Sequence, residues 1–121
     1  MKLICTLVAA TAVGLLAAGT SFSMSHPRLI GTVGPGFTIT LKQAGKPVKT
    51  LKAGTYTFVV SDKASIHNFE LRGPGAAGPL KVFTTVPFTG TKTVTMVLKK
   101  GAYRFFCAPH ASSMFGNFRV T

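Results

Sequence analysis

Short segments in which apolar and polar residues alternate follow one another along most of the chain, and this pattern predicts β-strands. The clearest alternation runs over residues 91–98, where Val94, Met96 and Leu98 share one face of the predicted strand. Residues 55–60 and 102–107 are rich in aromatic and β-branched side chains, which favour the pleated conformation. The hydrophobic pattern therefore indicates an all-β protein.

Further strands are predicted at both ends of the chain and in its middle. They cover residues 29–33 (as an edge strand), 37–42, 66–71 (which includes His67), 80–85 and 116–121. Glycine and proline separate them, most densely in residues 73–79, where regular structure is disfavoured and a surface loop is expected. About seven to eight strands with turns at near-regular spacing predict a β-sandwich.

The first 23 residues have the layout of a secretory signal peptide. Lys2 precedes an uncharged apolar run over residues 3–18, and small residues follow, so we expect cleavage somewhere between residues 19 and 25. A membrane anchor is the alternative, but this run is shorter than the roughly 20 residues that a spanning helix needs. We expect an exported protein, periplasmic or secreted, with one domain over residues 26–121 and no stable membrane insertion.

Export would leave one cysteine in the mature protein. Cys5 leaves with the signal peptide, and Cys107 then remains unpaired in a compartment where cysteines usually form disulfides.

The formal net charge of +12 comes from scattered basic residues, which form a solvated surface or steer the protein toward an acidic partner or an anionic membrane surface. Nothing in the sequence resembles a basic-aromatic motif for nucleic acid. High net charge favours a monomer.

Residues that bind soft metals cluster near the C-terminus. Cys107, His110 and Met114 lie between two predicted strands, and His67 belongs to a separate segment. A thiolate, two imidazoles and a weak thioether are the donors of a mononuclear electron-transfer copper site. Each residue alone also has a purely structural interpretation, since Cys107 and Met114 fit a core and the histidines fit a loop and a strand. The combination in one exported β-protein predicts a metal site.

Three segments resemble the cupredoxins, the plastocyanin/azurin family of blue copper proteins. They are residues 66–69 (IHNF), 103–110 (YRFFCAPH) and 114–120 (MFGNFRV). The resemblance implies a Greek-key sandwich with one copper ion, bound by His67, Cys107 and His110 in a plane and by Met114 axially. It also implies that Asn68 braces the ligand loop and donates a hydrogen bond toward the thiolate. The acidic docking patch of plant plastocyanins has no counterpart here.

Electron transfer between redox partners is the leading functional hypothesis, with a partner that carries an acidic docking surface. Copper sequestration or delivery by the same ligands is the alternative.

We expect no enzymatic activity, because Cys107 and His110 lack a nearby orienting carboxylate. Cleavage after Ser25 would expose His26 as an N-terminal copper ligand, but no second ligand for such a site is evident. Zinc could occupy the same donors.

Overall fold

A computed structural model of the chain describes Gly14 and residues 17–121. This part of the chain forms ten strands and one 3-10 turn. The strands are β1 (Arg28–Val33), β2 (Ile39–Gln43), β3 (Lys46–Pro47), β4 (Thr50–Leu51), β5 (Gly54–Asp62), β6 (Phe69–Arg72), β7 (Leu80–Thr84), β8 (Gly90–Leu98), β9 (Gly101–Phe106) and β10 (Phe115–Val120). The 3-10 turn, Ala108–His110, lies between β9 and β10.

Two five-stranded sheets pack face to face around a hydrophobic core. The first sheet has the strand order β3-β2-β1-β5-β8, and the second has the order β4-β10-β9-β6-β7. Inward-facing residues alternate with outward-facing ones, as in β5, where Tyr56, Phe58 and Val60 are buried. The predicted all-β sandwich is confirmed. Two of the ten strands have only two residues each, which explains why the sequence suggested fewer.

Aromatic side chains fill the middle of the core and lead toward one end of the sandwich. The rings of Phe69 and Phe105 stack with centroids 5.8 Å apart, and Phe83 packs against Phe58 at 5.0 Å and against Phe69 at 5.7 Å. Phe69 begins β6, and Phe105 precedes Cys107 by two residues. The packed rings therefore fix the ends of the strands from which the candidate metal ligands extend.

The first strand lies in the interior of its sheet, so the prediction of an edge strand over residues 29–33 is wrong. β1 pairs in parallel with β5 and antiparallel with β2. Parallel pairing joins segments that are distant in sequence, and a local hydrophobic pattern carries no information about such a partner. The alternation within β1 is nevertheless correct, because Leu29 and Val33 are buried and Ile30 is exposed.

Two strands begin later than predicted. β2 starts at Ile39, which leaves Phe37 in the loop that joins β1 to β2. β6 starts at Phe69, which leaves His67 and Asn68 in the connection from β5. A register shift follows Phe69, whose N–H donates to the Thr84 hydroxyl at 2.9 Å instead of to a strand carbonyl. The regular strand therefore begins only after the residues of the candidate site.

The predicted signal peptide lies largely outside the described residues and stays a prediction, as does its cleavage site. Within the described residues, no helix has both the length and the hydrophobicity to cross a membrane.

Candidate metal centre

The loop between β9 and β10 holds three of the four predicted ligands in a compact turn. Cys107 donates its backbone N–H to the Met114 carbonyl at 3.0 Å, which closes the loop across its base. Within the loop, the N–H of His110 donates to the Cys107 carbonyl at 3.1 Å, and the N–H of Met114 donates to the His110 carbonyl at 2.8 Å. The backbone of the loop is therefore ordered by its own hydrogen bonds.

His67 reaches the same end of the sandwich from the connection between β5 and β6. Its N–H donates to the Ala64 carbonyl at 3.2 Å, and its ring is fully buried. Gly34, with a φ of +71°, lies directly beside this ring. A Cβ at Gly34 would lie 3.0 Å from Ala64 Cβ and 3.3 Å from His67 Cδ2, so a larger residue would push the histidine away.

Three potential ligand atoms form a small triangle at this end of the fold. The Nδ1 atoms of His67 and His110 are 3.1 Å apart. Cys107 Sγ lies 3.7 Å from Nδ1 of His67 and 3.6 Å from Nδ1 of His110. Within the described residues, histidine, cysteine and acidic side chains come close enough together to hold a metal ion in one place, and the three that meet there are His67, Cys107 and His110. His26 is exposed and does not belong to this group.

The size of the triangle matches what a single metal ion requires. Zinc, which accepts the same donors, has bonds of about 2.0 Å to imidazole nitrogen and about 2.3 Å to thiolate sulfur. With bonds of those lengths, the observed separations correspond to ligand–metal–ligand angles of roughly 100° to 120°. The three residues therefore fit a metal in a near-trigonal arrangement, and their side chains lie close enough together to bind it without rearrangement.

The environment of the donors differs from one residue to the next. Cys107 and His67 are fully buried, His110 is half-buried, and Met114 is buried at the base of the loop. A buried thiol flanked by two imidazoles suits copper, which binds soft sulfur and nitrogen donors in both of its common oxidation states. The half-buried edge of His110 is the part of the group nearest to solvent.

Asn68 connects the histidine segment to the ligand loop. Its Oδ1 accepts a hydrogen bond from the Ala108 N–H at 2.7 Å, and its backbone N–H points to Cys107 Sγ at 3.5 Å. The side-chain Nδ2 donates to Glu70 Oε1 at 3.0 Å and is thereby oriented. The expected brace is present, and the donor that faces the sulfur is the backbone N–H of Asn68. Such contacts orient ligands and tune the metal.

Phe37 is a component of the site that sequence reasoning missed. Its ring centroid lies 5.2 Å from that of His67 and 5.0 Å from that of His110, and both contacts are edge-to-face. The side chain is nevertheless 64% exposed, so the ring forms an outer wall over the two imidazoles. The Gly34–Pro35–Gly36 sequence just before it was a signal, since it predicts a turn that would end the strand and free Phe37 for another role.

Comparison with solved structures finds the same fold in copper proteins. A copper protein rusticyanin is 19% identical over 78% of this chain and 76% of its own, with a TM-score of 0.55. Reduced rusticyanin is 23% identical over 78% of both chains, with a TM-score of 0.52. A reduced point mutant of amicyanin is 16% identical over 81% of this chain and 86% of its own, with a TM-score of 0.52.

No curated protein matches the chain in a sequence search. A family model does match, over residues 45–121, and it is described as copper binding proteins of the plastocyanin/azurin family. The matched range covers most of the chain and includes the thiol, both imidazoles and the thioether described above. Family membership and the donor set agree on copper as the metal. This chain belongs to the plastocyanin/azurin family of copper-binding proteins.

Proposed function

We propose that the protein carries single electrons by means of one copper ion bound by His67, Cys107, His110 and Met114. The observation that carries the proposal is the triangle of two Nδ1 atoms and one Sγ, whose edges measure 3.1 to 3.7 Å and whose residues are held by the hydrogen-bonded ligand loop and by Asn68. An electron carrier benefits from such rigidity, since little has to move when the oxidation state changes.

Each residue has a defined part in this proposal. Cys107 would supply the sulfur donor, and the two histidines would supply imidazole nitrogens, since their Nδ1 atoms face Sγ. Met114, which is buried at the base of the loop, would supply a weak thioether donor. Copper bound there would supply the Cu(I)/Cu(II) couple. No substrate is transformed, so the proposal assigns no catalytic residue.

The burial of the ligands indicates where an electron would enter or leave the site. Cys107 and His67 are enclosed, whereas His110 is half-buried and is followed by residues that reach the surface. Exposed Phe37 and Ile66 provide apolar surface beside the histidines. A redox partner that docks over His110 would therefore come within a short distance of the metal. We expect that partner to be a protein with an acidic surface, because the net charge of this chain is +12.

We also infer that the protein is exported and acts as a monomer. Export is supported by the charged and then apolar N-terminal segment and by the single cysteine that remains after its removal, and the high net charge of +12 favours a monomer. Export places the copper site in an oxidising compartment, where a bound thiolate is protected from disulfide formation.

The first test is the visible spectrum of the mature protein loaded with Cu(II), with the Cys107→Ser variant beside it. An intense charge-transfer band that disappears in Cys107→Ser is expected, because only the thiolate can produce it. Ser112→Ala, a change in an exposed residue of the same loop, is the matched control and should leave the band intact.

Other results would favour a different function or contradict both candidate functions. Tight Cu(I) binding with weak visible absorption would favour copper sequestration or delivery by the same residues. Absence of copper binding in either oxidation state would contradict both functions. A changed reduction potential in Met114→Leu, with copper and the charge-transfer band retained, would support a donor role for the thioether, and an unchanged potential would contradict it.

A further inference from the structure

A groove on the outer face of the second sheet lies beside the ligand loop and takes no part in the metal centre. Its volume is about 490 Å³. The side chains that give it its chemistry are Arg72, Arg104 and Asn117, and the small residues Gly75, Ala76 and Ala111 leave it open. Ala111 is the neighbour of His110 in the chain, so one wall of the groove is part of the ligand loop.

The register of the sheet brings the polar residues of the groove together. Arg72 in β6 is the cross-strand partner of Arg104 in β9, and Arg104 is the partner of Asn117 in β10. Residues directly opposite in antiparallel strands project to the same face. Tyr103 and Phe105, on either side of Arg104, are buried in the core, so the row of polar side chains faces outward.

Both guanidinium groups are held in place although their charges repel each other. Arg72 Nη1 donates to the Gly78 carbonyl at 3.2 Å. Arg104 Nη2 donates to the Ala111 carbonyl at 2.7 Å, and its Cζ lies 4.1 Å from the centre of the Phe115 ring. Like charges placed directly opposite in a sheet destabilise it unless something compensates them. A guanidinium has five N–H donors, so each arginine retains donors for a ligand.

The chain itself offers little negative charge to compensate this pair. Asp62 and Glu70 are its only acidic residues. Glu70 lies on the same face, two residue pairs along the ladder, but it is only 9% exposed and its Oε1 accepts a hydrogen bond from Asn68 Nδ2. Asp62 belongs to β5 of the other sheet and is buried. In residues 17–121, the hydrogen bonds of Arg72 and Arg104 go to backbone carbonyls, so no acidic side chain of this part of the chain pairs with either guanidinium.

We propose that this groove binds a carboxylate side chain of an acidic protein partner. The proposal rests on the electron-carrier function and specifies where the partner docks. Two fixed guanidiniums with planar arrays of donors match the geometry of a carboxylate, which they bind through paired hydrogen bonds. Because Arg104 also holds the Ala111 carbonyl, a partner bound there lies against the loop that carries His110, on the short route to the metal.

The test measures binding of a fluorescent oligoglutamate peptide to the copper-loaded protein, with oligoglutamine and inorganic phosphate as comparison ligands. Arg72→Gln and Arg104→Gln should each weaken oligoglutamate binding by about tenfold, the lower end of the effect of losing a charge-assisted hydrogen bond. Arg104→Lys, which keeps the charge but not the planar fork, should restore only part of the loss.

Arg28→Gln is the matched control, since Arg28 is an exposed arginine of β1, in the other sheet and outside the groove. It removes the same charge and should change the affinity by less than about twofold. An equal loss in all three glutamine variants would overturn the proposal, because net charge alone would then explain binding. Phosphate binding as tight as that of oligoglutamate would overturn it as well and indicate a site for small oxyanions.

The same titration on metal-free protein separates this proposal from the electron-carrier function. Groove-dependent binding in a protein that gives no charge-transfer band would leave the docking site standing while the proposed function fails. A normal band with no oligoglutamate binding would leave the function standing and overturn the docking site.

Discussion

At the scale of single residues, Phe37 controls how closely water approaches the two imidazoles. Its ring contacts both His67 and His110 edge-to-face while most of its surface faces solvent. The apolar surroundings of a metal set the local dielectric and thereby its reduction potential. Water near the site favours the more highly charged oxidised ion, so removal of the ring should lower the potential.

Phe37→Ala is therefore expected to lower the reduction potential by tens of millivolts and to speed release of copper to a chelator. Protein-film voltammetry and stopped-flow chelation measure the two effects. Phe37→Leu, which keeps an apolar cover, should recover part of both. Val97→Ala, a truncation at an exposed position of β8, serves as the control. A potential unchanged in Phe37→Ala would show that the ring does not shield the site.

At the scale of elements, the β9–β10 hairpin depends on a position without a side chain. Gly116 is the cross-strand partner of Phe105, and a Cβ at Gly116 would clash with the ring of Phe105. Phe105 in turn stacks on Phe69, so it cannot move without disturbing the core. In the hairpin that bears the ligand loop, the ring of Phe105 therefore packs directly on Gly116 of the paired strand and leaves no room for a side chain there.

Gly116→Ala should destabilise the metal-free protein by about 1–3 kcal/mol, the usual cost of overpacking a filled core. Urea unfolding followed by circular dichroism measures the change. Gly36→Ala is the matched control, because nothing lies within 4 Å of a Cβ at that position. Equal stability of the two variants would mean that Phe105 can rotate away freely.

The sequence predicted most of these elements because their patterns are local. The alternation in β8 and the aromatic run of β9 marked both strands, and the spacing of Cys107, His110 and Met114 marked the ligand loop. Nonlocal features were not predictable. The central position of β1 depends on parallel pairing with β5, and the position of Phe37 depends on how the β1–β2 loop folds back over two histidines.

At the scale of the whole molecule, stability at high pH depends on a buried phenol. The Tyr103 hydroxyl donates to the Lys99 carbonyl at 2.9 Å and accepts from the Lys99 N–H at 3.0 Å. Burial raises the pKa of Tyr103 above its usual value, and the Lys99 N–H offsets only part of this. Because the unfolded chain loses this proton first, the stabilisation is complete below pH of about 10 and is lost as the pH rises through the folded-state pKa.

Tyr103→Phe should cost about 1 kcal/mol at pH 7, since it removes the hydrogen bonds to Lys99. The difference in unfolding free energy between wild type and Tyr103→Phe should shrink as the pH rises above about 10. Urea unfolding of both proteins between neutral and alkaline pH measures it. A difference that stays constant across this range would show that the phenol titrates alike in the folded and unfolded chains.

The placement of the candidate ligands has a consequence for chain entropy. His67 and Cys107 are 40 positions apart in sequence, and a metal bound by both would close a long covalent ring through the fold. A disulfide that closes a ring of this size restricts the unfolded chain by about 3–5 kcal/mol. Copper would then act as a reversible cross-link in place of a disulfide, since Cys107 has no disulfide partner among the described residues. Resistance to proteolysis would rise and fall with the copper supply.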